Sequence, residues 1–538
     1  MKHAVHVPVP IRMGRRAMVT AVDQLASAAG MSSLHKGGSA ADAAIAISAV
    51  LSVTTQHLCG MGGDLLAMVA GGGSPPVALV AAGRAGSGAD SGRLRTEGAA
   101  VMPFRGDIRT VPVPGCVDGW LRLHERFGRR PLAEALAPAI AYALDGFPAT
   151  PLLAERAKLI ADLPGGEPYR GIGAGSIVRR PAVARALEAI VHDGRDAFYL
   201  GEFGRGLVEL GGGEFTRDDL ARQHADWRDA VSVEAWGHRI WSVPAPSQGY
   251  LTLAASWIAA GLELPADPDD PEWPHLLIEA AKQAGFDREE LLHAEADTAA
   301  MLDAARLGPR RAAVTDRAST LVAPAAPGGT IHLNVVDGDG LTIAFTQSNA
   351  AGFGAHIAEP ATGIFLQNRG LGFNLREGHA AEYAPGRRPP HTLSPAIVTT
   401  TGNRPVIALG TMGADSQPQI LLQLLARMLG AGQAPEVAVA APRWILAGDE
   451  DASFAVWRGR PASRVKVEGH APEAWIDDLR ARGHQVELLD EFAYDAGHAH
   501  AIAVTPVGAD SAPHGGADDT YLRGASDPRV ATADAIGW

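Results

Sequence analysis

The stretch Gly37–Val53, GGSAADAAIAISAVLSV, is alanine-rich and apolar on every side of a helical projection. A helix of that kind is stable only when both of its faces are covered, so the chain must fold around it in layers. Directly downstream come the glycine turn Gly60-Met61-Gly62-Gly63-Asp64 and the apolar run Leu65–Ala70, which has strand length and glycine boundaries. Helix, glycine turn and buried strand therefore follow one another. With 538 residues, 46% of them hydrophobic, the chain can supply such a core. Roughly 100–200 residues per domain allow about three domains, and we take one large α/β unit as the expectation.

Three segments, Leu132–Leu144, Pro151–Leu163 and Arg180–His192, place apolar residues at three- and four-residue steps and predict outer helices. Trp273–Ala284 and Asp287–Ala305 predict two more, followed by an alanine- and proline-rich loop over 322–329. The character then changes. Thr330–Val336 and Leu341–Ser348 both alternate with period two around Asp337-Gly-Asp-Gly340, which predicts a hairpin. Symmetric closure of that turn puts Thr330 opposite Gln347, and a slip of one residue puts it opposite Ser348. Pro405–Leu409 reads as a strand, Gly410–Ser416 as a glycine turn and Gln417–Leu429 as a helix, an order that aims backbone N–H groups into the turn.

The formal charge of −13 is spread along the chain, and the basic runs are short, which argues against a nucleic-acid partner. Two cysteines, Cys59 and Cys116, make no disulfide framework and no metal-type spacing. A reducing compartment is expected. The N-terminus is broken by prolines and lacks a leader pattern, and the longest apolar stretch, Ala43–Val53, falls short of the ~20 residues that span a bilayer. The expectation is a cytoplasmic protein with no membrane partner and no cofactor.

Asp337-Gly-Asp-Gly340 begins like a calcium loop, but Thr342 and Ser348 stand where glycine and glutamate are needed. His498 and His500 share a strand face without a local carboxylate or cysteine cluster, so no metal is expected there. Gly60–Gly63 precedes a strand instead of linking a strand to a helix, which rejects a dinucleotide fingerprint.

A threonine hydroxyl needs an adjacent base to act as a nucleophile, and its own free α-amine can serve if the threonine begins a chain. Gly328-Gly329-Thr330 offers an unhindered bond at the mouth of a strand. Thr330-Ile-His-Leu-Asn-Val-Val-Asp337 resembles the motif with which gamma-glutamyltransferases open their small subunit after autocatalytic cleavage. Gly37–Ala43, Gly60–Asp64, Gly363–Asn368, Pro385–Pro389, His391–Pro395, Gly410–Asp415 and Ala441–Arg443 resemble further motifs of that family, in the family's order.

The resemblance implies an αββα four-layer sandwich of the N-terminal-nucleophile hydrolase type. It implies a large subunit, 1–329, and a small subunit, 330–538, from cleavage at Gly329–Thr330; such pairs could associate as a homodimer. Thr330 would be the nucleophile and Ser348 its hydrogen-bonding partner. Gly413 and Ala414 would supply the oxyanion N–H groups. Arg84 would clamp a substrate carboxylate, while His391 and Thr392 would line the same pocket. The family's acidic pair for an α-ammonium is replaced by Leu371 and Gly372, after Asn368-Arg369-Gly370. Arg369 beside Asn368 favours an acidic or carbonyl-rich acyl group. This form resembles the branch with cephalosporin acylases and oxamate amidohydrolases, and some wider members hydrolyse a carbon–carbon bond. The expected activity is amide hydrolysis or acyl transfer on a small molecule; the alternative is an unprocessed, non-catalytic binding protein.

Overall fold

The apolar run after the glycine turn becomes the strand Asp64–Ala70, buried throughout. Its side chains divide with period two: Leu65, Ala67 and Val69 join the core under the helices, whereas Leu66, Met68 and Ala70 face a second sheet. In this computed structural model, which describes residues 9–321, 329–448, 462–506 and 520–538, the strand lies in a seven-stranded sheet. The order is Asp534–Gly537, Met18–Ala21, Gly329–Val336, Thr342–Ala350, Asp64–Ala70, Val77–Ala81 and Ala225–Asp229. A second seven-stranded sheet runs Arg12–Gly14, Thr520–Ser526, Ala499–Pro506, Pro405–Thr411, Ala396–Thr399, His238–Ser242 and Val231–Ala235. Residues 322–328 of the predicted loop before Thr330 fall outside the described residues.

The two sheets face each other across Leu66, Met68, Val80, Trp241, Ile397 and Ala408. The helix Ala40–Thr54 covers the first sheet at Gly329–Val336 and Thr342–Ala350, and all of its residues are buried because Leu132–Asp145 lies over it. Gly249–Ala260 and Gln417–Leu425 cover the second sheet, and Glu272–Gly285 packs outside them. Helix, sheet, sheet and helix make the αββα sandwich.

Local chemistry explains where the predicted elements end. Asp287–Ala305 is broken into Arg288–Leu291, Thr298–Met301 and a third helix, Ala304–Ala312. Asp297 and Asp303 turn their carboxylates onto backbone N–H groups as N-caps and restart the chain at each break. The predicted helix from Pro151 stops at Ala157. Gln417 opens a helix that is α-helical only to Leu425 before a π turn over Ala426–Gly430.

The hairpin forms with the slipped register: Val336 pairs with Thr342 and Ile331 with Gln347. Asp337 causes the slip. Its Oδ1 accepts the N–H groups of Asp339 and Leu341, each at 3.0 Å, which draws Leu341 into the turn. Its Oδ2 accepts Ala40 N–H at 2.9 Å, fixing the hairpin to the N-terminus of the buried helix, where Ser39 and Asp42 form a capping box.

Candidate active site

A β-bulge lies between Gly329 and Ile331, since Gly329 pairs with Ala350 while Ile331 pairs with Gln347. The bulge takes Thr330 out of the ladder opposite Ser348, and both side chains are buried. Thr330 Oγ1 lies 2.8 Å from the carbonyl oxygen of Gly329 and 3.1 Å from Ser348 Oγ. Ser348 Oγ donates to that same carbonyl at 2.7 Å and accepts Ala350 N–H at 2.8 Å. A serine hydroxyl has one proton to give, so the Gly329 carbonyl takes it and is polarised beside the threonine oxygen.

Arg369 completes the set. Its Nη2 donates to Ser348 Oγ at 3.1 Å and its Nη1 to Thr392 Oγ1 at 2.8 Å. Burial lowers the guanidinium to about 10, opposed by the charges of Asp64 and Asp415, so it stays cationic at neutral pH. Asn368 holds the neighbouring backbone: its Oδ1 accepts Ala351 N–H at 3.0 Å and its Nδ2 donates to Phe104 O at 2.9 Å. Ala350, Ala351, Leu371 and Ala414 form one apolar cluster beside these groups. Leu371, Gly372, Phe373, Arg288, His379 and Pro390 line an adjoining cavity.

The turn after Pro405–Thr411 gives Gly413 a φ of +141° and Ala414 a φ of +46°. The short helix beginning at Ala414 leaves its first N–H groups without intrahelical acceptors. Gln248 Nε2 ties the turn down, donating to Ala414 O at 2.9 Å and to Thr392 O at 3.0 Å.

His391 is bonded to Leu393 and Asp64. Its Nδ1 accepts Leu393 N–H at 3.3 Å, which leaves Nε2–H to donate to Asp64 Oδ2 at 3.2 Å. Burial, then the charge of Arg369, lowers His391 to about 4, so the imidazole is neutral. Asp64 is buried, which works to raise its carboxyl, yet bonds from His391, Gln367 and the Gly115 N–H together hold it below the usual range. It is thus an ionised hub, accepting also from Gly83 N–H at 3.0 Å, and joins the strand Asp64–Ala70 to the His391–Thr392 segment. Arg84 stands apart: it donates to Gly386 O at 3.1 Å and lies 3.8 Å from Asp226, and none of its bonds reaches Thr330, Ser348, Arg369 or Thr392.

The structure thus brings Thr330, Ser348, Arg369 and Thr392 into one hydrogen-bonded chain, with Asn368 and Ala414 at its border. Sequence reading passed over Asp64 and Gln248. A carboxylate at the head of an apolar strand was the available signal for Asp64; Gln248 carried only a polar residue between Pro246 and a helix. Arg288, 3.2 Å from Asp415 in a buried ion pair behind the turn, carried none.

Two facing sheets, each covered by helices on its outer side, are the architecture of the N-terminal-nucleophile hydrolase class. Residues 26–536 match the family model for gamma-glutamyltranspeptidase, and the chain belongs to that family. It is 34% identical to the oxamate amidohydrolase proenzyme of Klebsiella pneumoniae, over 95% of this chain and 97% of that one. It is 32% identical to a glutathione hydrolase-like proenzyme of Bacillus subtilis, over 96% and 98%. The crystal structure of a cephalosporin acylase from Bacillus halodurans superposes with a TM-score of 0.87, at 28% identity, covering 100% of this chain and 99% of the other. Among the described residues, no helix is long and apolar enough to cross a membrane.

Proposed function

We propose that the chain is a proenzyme that cuts itself at Gly329–Thr330 and then hydrolyses the amide of a small acyl group carrying a second carbonyl or a carboxylate. Thr330 Oγ1 attacks the Gly329 carbonyl, the peptide nitrogen leaves as the Thr330 α-amine, and water releases the resulting ester. The freed amine then takes the hydroxyl proton of Thr330, and the oxygen attacks the substrate carbonyl. Gly413 and Ala414 N–H groups face the developing oxyanion. The leaving amine carries away the proton, and water clears the acyl-enzyme. Residues 1–329 and 330–538 remain together as the large and small subunits.

One observation carries the choice of acyl group. The buried Arg369 guanidinium links Ser348 to Thr392, whereas Leu371 and Gly372 offer nothing to an α-ammonium. A planar cation is suited to a carboxylate or to paired carbonyl oxygens, and the name of the Klebsiella relative points to the same chemistry. Arg84 keeps a place in this reading as an outer carboxylate contact, reached once its bond to Gly386 is exchanged for substrate. The buried free thiols of Cys59 and Cys116 support a reducing, cytoplasmic setting.

The test has two parts. Denaturing electrophoresis and mass spectrometry should give two pieces, the smaller starting at Thr330, and Thr330→Ala should give one inactive piece. Turnover should be higher on oxamate and on glutaryl amides than on a gamma-glutamyl anilide. Strong glutamyl transfer would overturn the assignment of the acyl group, and a single active chain would overturn the nucleophile.

A further inference from the structure

The outer helix Glu272–Gly285 carries His275 and Glu279, four residues apart and therefore on one face. His484 meets them from the other half of the chain. It follows the helix Glu473–Ala481 in a Schellman-type ending: Gly483 has a φ of +101°, and His484 N–H returns to Leu479 O at 2.9 Å. His275 Nδ1, His484 Nε2 and a Glu279 carboxylate oxygen all lie within 4.8 Å of one another, and all three residues are buried.

We propose that His275, Glu279 and His484 form a zinc site that fastens the 1–329 part of the chain to the 330–538 part. The donor set, two imidazoles and one carboxylate, is one that zinc takes with a fourth position left for water. Zinc bonds of ~2.0–2.1 Å place tetrahedral ligand atoms ~3.3 Å apart. The present separations bracket that value, at 2.9 Å between the two imidazole nitrogens and 4.0 Å between His484 and Glu279.

The next shell is also in place. His275 Nε2 lies 2.8 Å from Thr315 O and donates to it, which leaves Nδ1 to accept His484 Nε2–H at 2.9 Å; zinc would take the place of that proton, with His484 shifting to its Nδ1–H tautomer. The fourth charged group is Lys282, whose Nζ lies 2.8 Å from Glu279 Oε1 and 3.1 Å from Ser319 O. It balances the carboxylate in the metal-free arrangement and retains the Ser319 carbonyl when zinc arrives. Thr315 and Ser319 lie on the segment that leads to Gly329, so zinc also steadies the end of the large subunit. That last consequence rests on cleavage at Gly329–Thr330; the site itself does not.

The test uses the full chain, exposed to zinc chloride, desalted and analysed for metal, with cobalt(II) as a spectroscopic probe. One zinc should be retained per chain, and cobalt should show the intense visible bands of a tetrahedral site. Glu279→Gln and His484→Gln should weaken binding at least ~10-fold while amide turnover in zinc-free buffer stays unchanged. Lys282→Met, which removes the competing ammonium, should tighten it. The uncut Thr330→Ala chain should bind zinc as the wild type does, which separates this site from the processing mechanism. Weak octahedral cobalt bands, or wild-type zinc retention no greater than that of His484→Gln, would overturn the proposal.

Discussion

The Ser348 hydroxyl donates to the carbonyl oxygen of Gly329 at 2.7 Å, across the bulge that isolates Thr330. Because the same carbonyl lies 2.8 Å from Thr330 Oγ1, the bond proposed for self-cleavage lies between the proposed nucleophile and a proton donor. Ser348→Ala removes that donor and leaves the bulge. Loss of one oxyanion donor typically costs ~10²–10³ in rate, so self-cleavage should slow by about two orders of magnitude. Ser348→Thr should retain it. The ratio of uncut to cut bands over time after synthesis measures the effect, and unchanged kinetics in the alanine variant would remove Ser348 from the mechanism.

Arg369 is tied to the same hydroxyl and to Thr392, so its replacement should separate binding from folding. Arg369→Lys keeps the charge and loses the planar fork. A hydrogen bond to a charged group is worth ~1.5–3 kcal/mol, which predicts a fall in kcat/KM on oxamate of about 10- to 100-fold. Turnover of an amide whose acyl part lacks a second carbonyl should fall much less. Equal losses on both substrates would show that Arg369 supports the fold and not the choice of acyl group.

Much of this arrangement was legible in the sequence. The covered helix follows from apolar residues on all its sides, the strand after the glycine turn from an unbroken apolar run, and the hairpin from alternation with period two; the first two patterns arise because each element lies between two packed layers. The register of the hairpin did not follow, since it depends on Asp337 using both carboxylate oxygens, one of them on Ala40. Such a bond spans most of the large subunit and leaves no local trace. Arg369 was visible as a departure from family pattern, but its link to Ser348 arises only when the segments around 348, 369 and 392 meet. His391, expected to line the pocket, also bonds Asp64, a contact that arises only when the two distant segments pack together.

Stability should fall as the pH drops below neutrality. Burial holds His57, His332 and His500 at about 3 and His391 and His498 at about 4. All four ring nitrogens of His498 and His500 lack hydrogen-bond partners among the described residues, so no acceptor rewards protonation. In the unfolded chain these rings take up protons near pH ~6.5. Between there and about pH 4 the unfolded state binds more protons, so acidification favours unfolding, by at most ~1.4 kcal/mol per pH unit for each ring. Asp64, whose carboxyl is held below its usual range, loses its contribution only as the pH falls further, through that lowered value. Urea midpoints measured from pH 7.5 to pH 5 should decline steadily, and a flat profile would contradict the neutral, unpartnered histidines.

Ala414 holds a φ of +46° in the turn whose N–H groups we propose as the oxyanion contacts. A left-handed conformation costs an L-residue ~1–2 kcal/mol, and Gln248 maintains it through the bond to Ala414 O. Since the donors belong to the backbone, Ala414→Gly should keep turnover within about threefold of wild type, and strain relief should offset added unfolded-state entropy to within ~1 kcal/mol. Ala414→Val makes the opposite change. A β-branched side chain is an outlier at positive φ, and here it would also press on Ala350, Ala351 and Leu371. The loop must shift, the N–H groups lose their aim, and turnover should drop about 100-fold, the size of one lost oxyanion donor. Steady-state assays with a urea titration of each variant test the pair, and an inactive glycine variant together with an active valine one would place the oxyanion contacts elsewhere.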